Sequence, residues 1–207
     1  MNLFDWITAG IVIITILYIS IVQTVGEWMS ALRKGQAVSL LPERGGRKWP
    51  QWAQIAFVLL GLVIFVVLVY FAWIPLFVIP KAIAWIFDIL GLALYLAGFF
   101  FVEWARWTIG KYWGLSTSMQ VKLLDEHQLI QTGPYAFVRH PMYFGAWILF
   151  LGLTILYPVW VVAVLFLSTL IAFTGRARRE EAALSERFGE EWNQYARHTR
   201  FLIPFLY

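Results

Sequence analysis

Residues 141–157, PMYFGAWILFLGLTILY, and residues 158–174, PVWVVAVLFLSTLIAFT, are two apolar runs of seventeen residues, each opened by a proline and free of charge. A proline at the first helical position gives up only an N–H that has no partner inside the helix. Pro158 ends the first run as it starts the second. The pair reads as a tight helical hairpin whose arms lie near the lower length limit for crossing a bilayer. Dense polar blocks stand on either side of it, at 120–140 and 176–200.

Three more apolar segments precede the hairpin, at 3–22, 52–73 and 82–102. The chain is 61% hydrophobic and 14% charged, where a soluble domain carries about 25% charged residues. Lipid covers that much apolar surface and a water-soluble core does not. The expected fold is therefore all-α: a polytopic integral membrane protein of about five transmembrane helices. One domain spans 1–207, with membrane spans in 1–102 and a functional half in 103–207, closed by a C-terminal surface helix. Segment 3–22 lacks a basic lead and a small-residue cleavage site, so it reads as a retained anchor. Trp52 and Trp73 are interfacial markers of the second span. Pro75 and Pro80 bracket a short link, and the third helix is expected to run on through Glu103 to Trp107 and stop at Gly110.

Charge gives orientation. The net charge is +4, and its distribution points to membrane topology rather than to nucleic acid. With the N-terminus outside, five spans place 23–50, 103–140 and 175–207 on one side. Those segments hold every lysine and arginine of the sixteen except Lys81, which makes that side cytoplasmic.

The chemistry available is narrow. There is no cysteine, so disulfides, thiolate metal sites and thiol nucleophiles are excluded. No HExxH, P-loop or strand-borne GxGxxG occurs, and three scattered histidines give no metal-ligand spacing. What remains is a constellation. Gly133-Pro134 forms a turn that brings Tyr135 back toward His140. His140 precedes a proline and is pushed out of helical backbone at the mouth of the fourth span. Arg176 and Glu180 share a helix face. The plain reading makes Arg139 a snorkelling side chain, His140 a cap, the tyrosines an interfacial belt and Arg176–Glu180 a surface pair of little energetic weight. The functional reading gives Arg176 an anion to grip and Glu180 the hydroxyl or ammonium donors of a cofactor. Asp88, inside the third span, is a functional candidate because a carboxylate in lipid is costly, or else a hydrogen-bonded structural group.

The segments His127-Gln128-Leu129-Ile130, Gly133-Pro134-Tyr135 and Val138-Arg139-His140-Pro141, with Tyr143 and Gly145, resemble the isoprenylcysteine carboxyl methyltransferase family and its phospholipid methyltransferase relatives. A second block agrees: Glu180-Glu181, Leu184, Phe188-Gly189, Trp192 (where the family more often has tyrosine), Tyr195, Arg200 and Pro204. The resemblance covers about 103–207; before that, the chain matches only in being hydrophobic. It implies S-adenosylmethionine as methyl donor without a Rossmann fold, and no metal. Carried over, the cofactor contacts are Gln120, His127, Gln128, Leu129, Ile130, Tyr135, His140, Pro141, Met142, Tyr143, Glu180 and Glu181. Arg176 holds the substrate carboxylate, and Arg176, Arg139 and Glu180 form the catalytic group.

The expected substrate is a prenylated or other lipidic carboxylate that enters from the bilayer. A phospholipid amine is the alternative acceptor. A reading from another class is an NADPH-dependent sterol or enone reductase, with Arg176, Arg178 and Arg179 on the 2′-phosphate.

Overall fold

The computed structural model describes residues 3–19, 50–112 and 128–204, together with Val22, Gly26 and Met29. Six α-helices appear there: α1 (Leu3–Leu17), α2 (Gln51–Phe71), α3 (Lys81–Ile109), α4 (Pro141–Leu156), α5 (Trp160–Phe188) and α6 (Glu190–His198). Short 3₁₀ turns add Gly110–Tyr112 and Gly133–Ala136. Among the described residues there is no β-strand, only two isolated bridges.

The chain divides into two compact units, 1–63 with 114–120, and 64–113 with 121–207. In the first, α1 seats Thr8, Val12 and Thr15 inward, and Thr15 returns its hydroxyl to the Ile11 and Val12 carbonyls. These bonds satisfy a polar group within an apolar helix.

The second unit carries the chemistry. α3 and α5 are each long and apolar enough to cross a membrane, while α4 and the α1 segment Phe4–Leu17 are apolar but shorter. At 1.5 Å per residue, the 29 residues of α3 extend about 43 Å, more than the roughly 30 Å of hydrocarbon. Its end therefore projects as the sequence suggests, and Gly110 (φ 54°) stops it. Large apolar side chains such as Phe100, Val164, Leu167 and Ile171 lie exposed on the outside, as lipid-facing positions do.

α3 and α4 run antiparallel in close contact through glycine. A Cβ on Gly98 would strike the Leu149 backbone and the Gly145 carbonyl; one on Gly152 would strike the Tyr95 backbone and the Gly91 carbonyl. Gly91 and Gly98 on one helix and Gly145 and Gly152 on the other keep the same seven-residue spacing. Small residues let helix backbones approach where lipid supplies no hydrophobic drive. Tyr95 fills the gap between the pairs and is 1% exposed. This arrangement puts Asp88, which is half-buried, at the opposite end of the α3–α4 pair from His140.

The hairpin turns at Pro158. Trp160 donates to the Ile74 carbonyl and Leu76 to the Pro158 carbonyl, so the 72–80 link is stapled to the hairpin bend. The sequence reading ends the second arm at Thr174. In the structure, α5 instead continues through the charged run to Phe188, because 175–188 contains good helix formers (Ala, Arg, Glu, Leu) and no interior proline. Gly189 (φ 53°) then breaks the helix and α6 begins.

Candidate active site

His140 occupies the N-cap position of α4, yet its side chain makes no capping bond there. Its backbone (φ −125°, ψ 61°) is non-helical, as the following proline requires. The ring is turned away to α5 instead. Nε2 lies 3.3 Å from Glu181 Oε1 and Nδ1 lies 3.6 Å from Glu180 Oε2. The ring is 5% exposed. Burial disfavours its charged form, but the hydrogen bonds and charges of Glu180 and Glu181 outweigh this and hold the pKa above the ordinary 6.5.

One turn further along α4, Tyr143 donates its hydroxyl to Glu180 Oε1 at 2.6 Å. Arg176 Nε donates to the same oxygen at 2.9 Å. Among the described residues, Glu180 Oε2 meets just the longer imidazole contact, and it keeps hydrogen-bonding capacity toward a ligand. The rings of His140, Tyr143 and Phe173 form a continuous stack, with centroid separations of 5.6 and 5.0 Å. Phe201 meets His140 edge-on.

Arg139 organises the other side. Its Nε donates to Glu181 Oε1 at 2.5 Å, and its Nη1 to the carbonyls of Thr199 (2.6 Å) and Ala196 (2.9 Å). The Ala196 carbonyl lies in the last turn of α6, whose end carries partial negative charge, and the guanidinium offsets it. The backbone reinforces this join, since Arg139 N–H donates to the Arg200 carbonyl and Arg200 N–H to the Phe137 carbonyl. Tyr195 OH donates to the Tyr135 carbonyl at 2.8 Å. Tyr135 sits in the 3₁₀ turn opened by Gly133 (φ 59°), which packs against Thr108 of α3.

The two polar blocks thus meet across the hairpin. Arg139, His140, Tyr143, Arg176, Glu180 and Glu181 come together. Pro141 and Met142 form the first turn of α4, Pro141 fully buried. Gln128 is exposed, Leu129 and Ile130 are half-buried, and no hydrogen bond among the described residues ties these three to the cluster. Gln120 and His127 lie outside the described residues. Phe173, Thr199 and Phe201 belong to the site although the sequence reading does not select them. Phe173 was legible in principle: it precedes Glu180 by seven residues, two helical turns on the same face.

Fold and site together define an all-helical membrane protein whose polar centre is assembled at one end of its apolar helices. The profile of the phospholipid methyltransferase family matches residues 86–191, half of the chain, and the protein belongs to that family. It is 38% identical over 82 residues to the protein-S-isoprenylcysteine O-methyltransferase of Schizosaccharomyces pombe, covering 39% of this chain and 35% of that protein. With the Saccharomyces cerevisiae protein of the same name it shares 32% over 120 residues, 57% of this chain and 49% of the relative. The aligned stretch thus spans less than half of either relative. Among solved structures, the fold is similar to that of a eukaryotic intramembrane Ras methyltransferase, isoprenylcysteine carboxyl methyltransferase. The TM-score is 0.54 at 24% identity, covering 95% of this chain and 73% of the other.

Proposed function

We propose that the protein is an S-adenosylmethionine-dependent methyltransferase acting on the carboxylate of a prenylated or other lipidic substrate. In this reading five helices span the membrane and the site faces the cytoplasm. The observation that carries it is the Tyr143–Glu180–Arg176 junction beside the His140–Tyr143–Phe173 stack. It offers a carboxylate oxygen with spare acceptor capacity, a guanidinium fork and aromatic faces within one cluster. The names of the curated relatives support the carboxylate as acceptor.

The donor set fits the methyl donor. Glu180 Oε2 accepts from ammonium or hydroxyl groups, and aromatic faces attract a sulfonium by about 0.5–2 kcal/mol each. When bound, S-adenosylmethionine supplies an electrophilic methyl group. Arg176, held beside Glu180 through Nε, presents a planar guanidinium suited to hold and aim a carboxylate. A carboxylate nucleophile needs no general base, and none is assigned. Glu180, anchored by Tyr143 and Arg176, is a fixed acceptor that requires no rearrangement. Arg139 acts through Glu181 and is read as a positioning residue. The aromatic stack and the apolar end of α5 exclude water, so opposite charges meet in a medium that does not favour their separation.

The test is a labelled-methyl assay on the detergent-purified chain with farnesylated cysteine, fatty carboxylates and phosphatidylethanolamine. Base-labile product from a carboxylate supports the reading. Base-stable product from the phospholipid replaces the acceptor with an amine, and absence of transfer to any acceptor overturns it.

A further inference from the structure

A cleft beside Glu181 has none of Arg176, Glu180 and Tyr143 in its lining. It encloses about 490 Å³ and is lined by Arg139, Arg178, Glu181, Arg197, Arg200 and Phe201 among others. Four guanidiniums face a single carboxylate. Glu181 is already committed, since its Oε1 takes both Arg139 and His140. Arg139 is likewise committed to Glu181 and two carbonyls. Arg178, Arg197 and Arg200 are exposed and make no side-chain hydrogen bond or ion pair with any described residue.

These three arginines come from separate elements: α5, the last turn of α6 and the segment after it. Their convergence is built. Gly189 turns α6 back, and Arg200 is held at its backbone by Phe137 and Arg139, which fixes where its side chain departs. Like charges in one cleft repel, and bringing them together is stabilising only with an anion between them. One carboxylate leaves that excess uncompensated, whereas a phosphate group offers more charge and several acceptor oxygens suited to guanidinium forks. Phe201 gives the cleft an apolar wall. The opening lies beside the charged half of α5, beyond its apolar run.

We propose that this cleft is a phosphate-binding site, taking the phosphate of an anionic lipid headgroup or of a soluble diphosphate. It does not depend on the transfer reaction. Through Glu181 and Arg139 it shares a wall with the His140 cluster, so an occupant is felt there.

The test uses the full chain in two arms at fixed ionic strength, since exposed charges are screened by salt. One arm titrates inorganic diphosphate into detergent-purified protein. The other compares thermal stability in nanodiscs of phosphatidylcholine alone and with phosphatidylglycerol. Saturable binding in the first arm, or a stability gain in the second, supports the site and identifies its source. R178Q and R197Q are each expected to weaken it about tenfold, the loss of one charge-assisted contact. R179Q, on the same helix but outside the cleft, is expected to leave it unchanged. Equal loss in R179Q means diffuse surface charge and overturns the proposal. No response in either arm overturns it too, as does one-for-one displacement of diphosphate by S-adenosylhomocysteine. Among the described residues the substituted arginines make no side-chain hydrogen bond or ion pair, and size exclusion confirms that each variant is folded.

Discussion

Arg139 and Glu181, forty-two residues apart in the chain, are joined by a 2.5 Å charge-assisted bond at side-chain exposures of 13% and 23%. That bond ties the mouth of α4 to the polar half of α5, and the same guanidinium reaches on to the end of α6. The site is therefore held by one cation that bridges three elements.

Removing the carboxylate strands that cation. E181A leaves Arg139 and His140 without their shared acceptor, and breaking such a partly buried pair costs about 2–4 kcal/mol. Thermal unfolding in detergent is expected to show a clear drop in Tm. R139K keeps the charge but loses the fork that spans Glu181, Ala196 and Thr199, and is expected to fall most of the way toward the same value. A wild-type Tm for E181A contradicts the bridging role.

Arg176 is expected to act on the acceptor rather than on the fold. R176A should lower kcat/KM for a carboxylate acceptor by about a hundredfold, as expected for losing a charged fork. S-adenosylhomocysteine affinity, measured by calorimetry, should change less than the rate. Unchanged turnover in R176A removes the proposed carboxylate grip.

His140 sets a pH dependence. Its folded pKa lies above the ordinary 6.5 because Glu180 and Glu181 outweigh its burial, with Arg139 and Arg176 also facing the cluster. A raised folded pKa means that the stabilisation is fully present below 6.5 and is lost as pH rises through the folded value. Tm is expected to decline across that window in the wild type and to be flatter in H140Q. A wild-type Tm that rises over this window contradicts the assignment.

The helix contact of α3 and α4 is testable with single methyl groups. G98A and G152A drive a Cβ into opposing backbone, an overpacking that costs about 1–3 kcal/mol. Gly61 in α2 has nothing within 4 Å of a Cβ, so G61A is expected to be neutral or stabilising by about 0.5–1 kcal/mol. Equal Tm values for G98A and G61A would refute the close approach.

Much of this was legible from local rules. The hairpin follows from two prolines and uncharged runs, the end of α3 from Gly110, and the departure of His140 from helix from Pro141. The pairing of Arg176 with Glu180 follows from their spacing. Legibility failed where partners lie far apart in sequence. Nothing local to Arg139 marks it as the ligand of two carbonyls near the end of α6, and the parallel bridge from Val138 to Arg200 is set only by how α6 folds back. The uninterrupted α5 is a different case: the apolar arm ends at Thr174, yet the backbone propensity continues and so does the helix. The glycine register was available in the sequence as matched seven-residue spacings, and only pairing the two helices gives it meaning.

Those glycines make α3 and α4 a clasp with fixed teeth. Sliding either helix by one residue would bring a neighbour such as Ala97, Phe99, Phe144 or Ala146 toward a contact that a glycine makes, so this seam resists gradual opening. Under the proposed reading, a hydrocarbon tail approaching sideways is expected to enter elsewhere than through this seam. Substitutions along the α3–α4 seam are then expected to change stability rather than the tail lengths accepted.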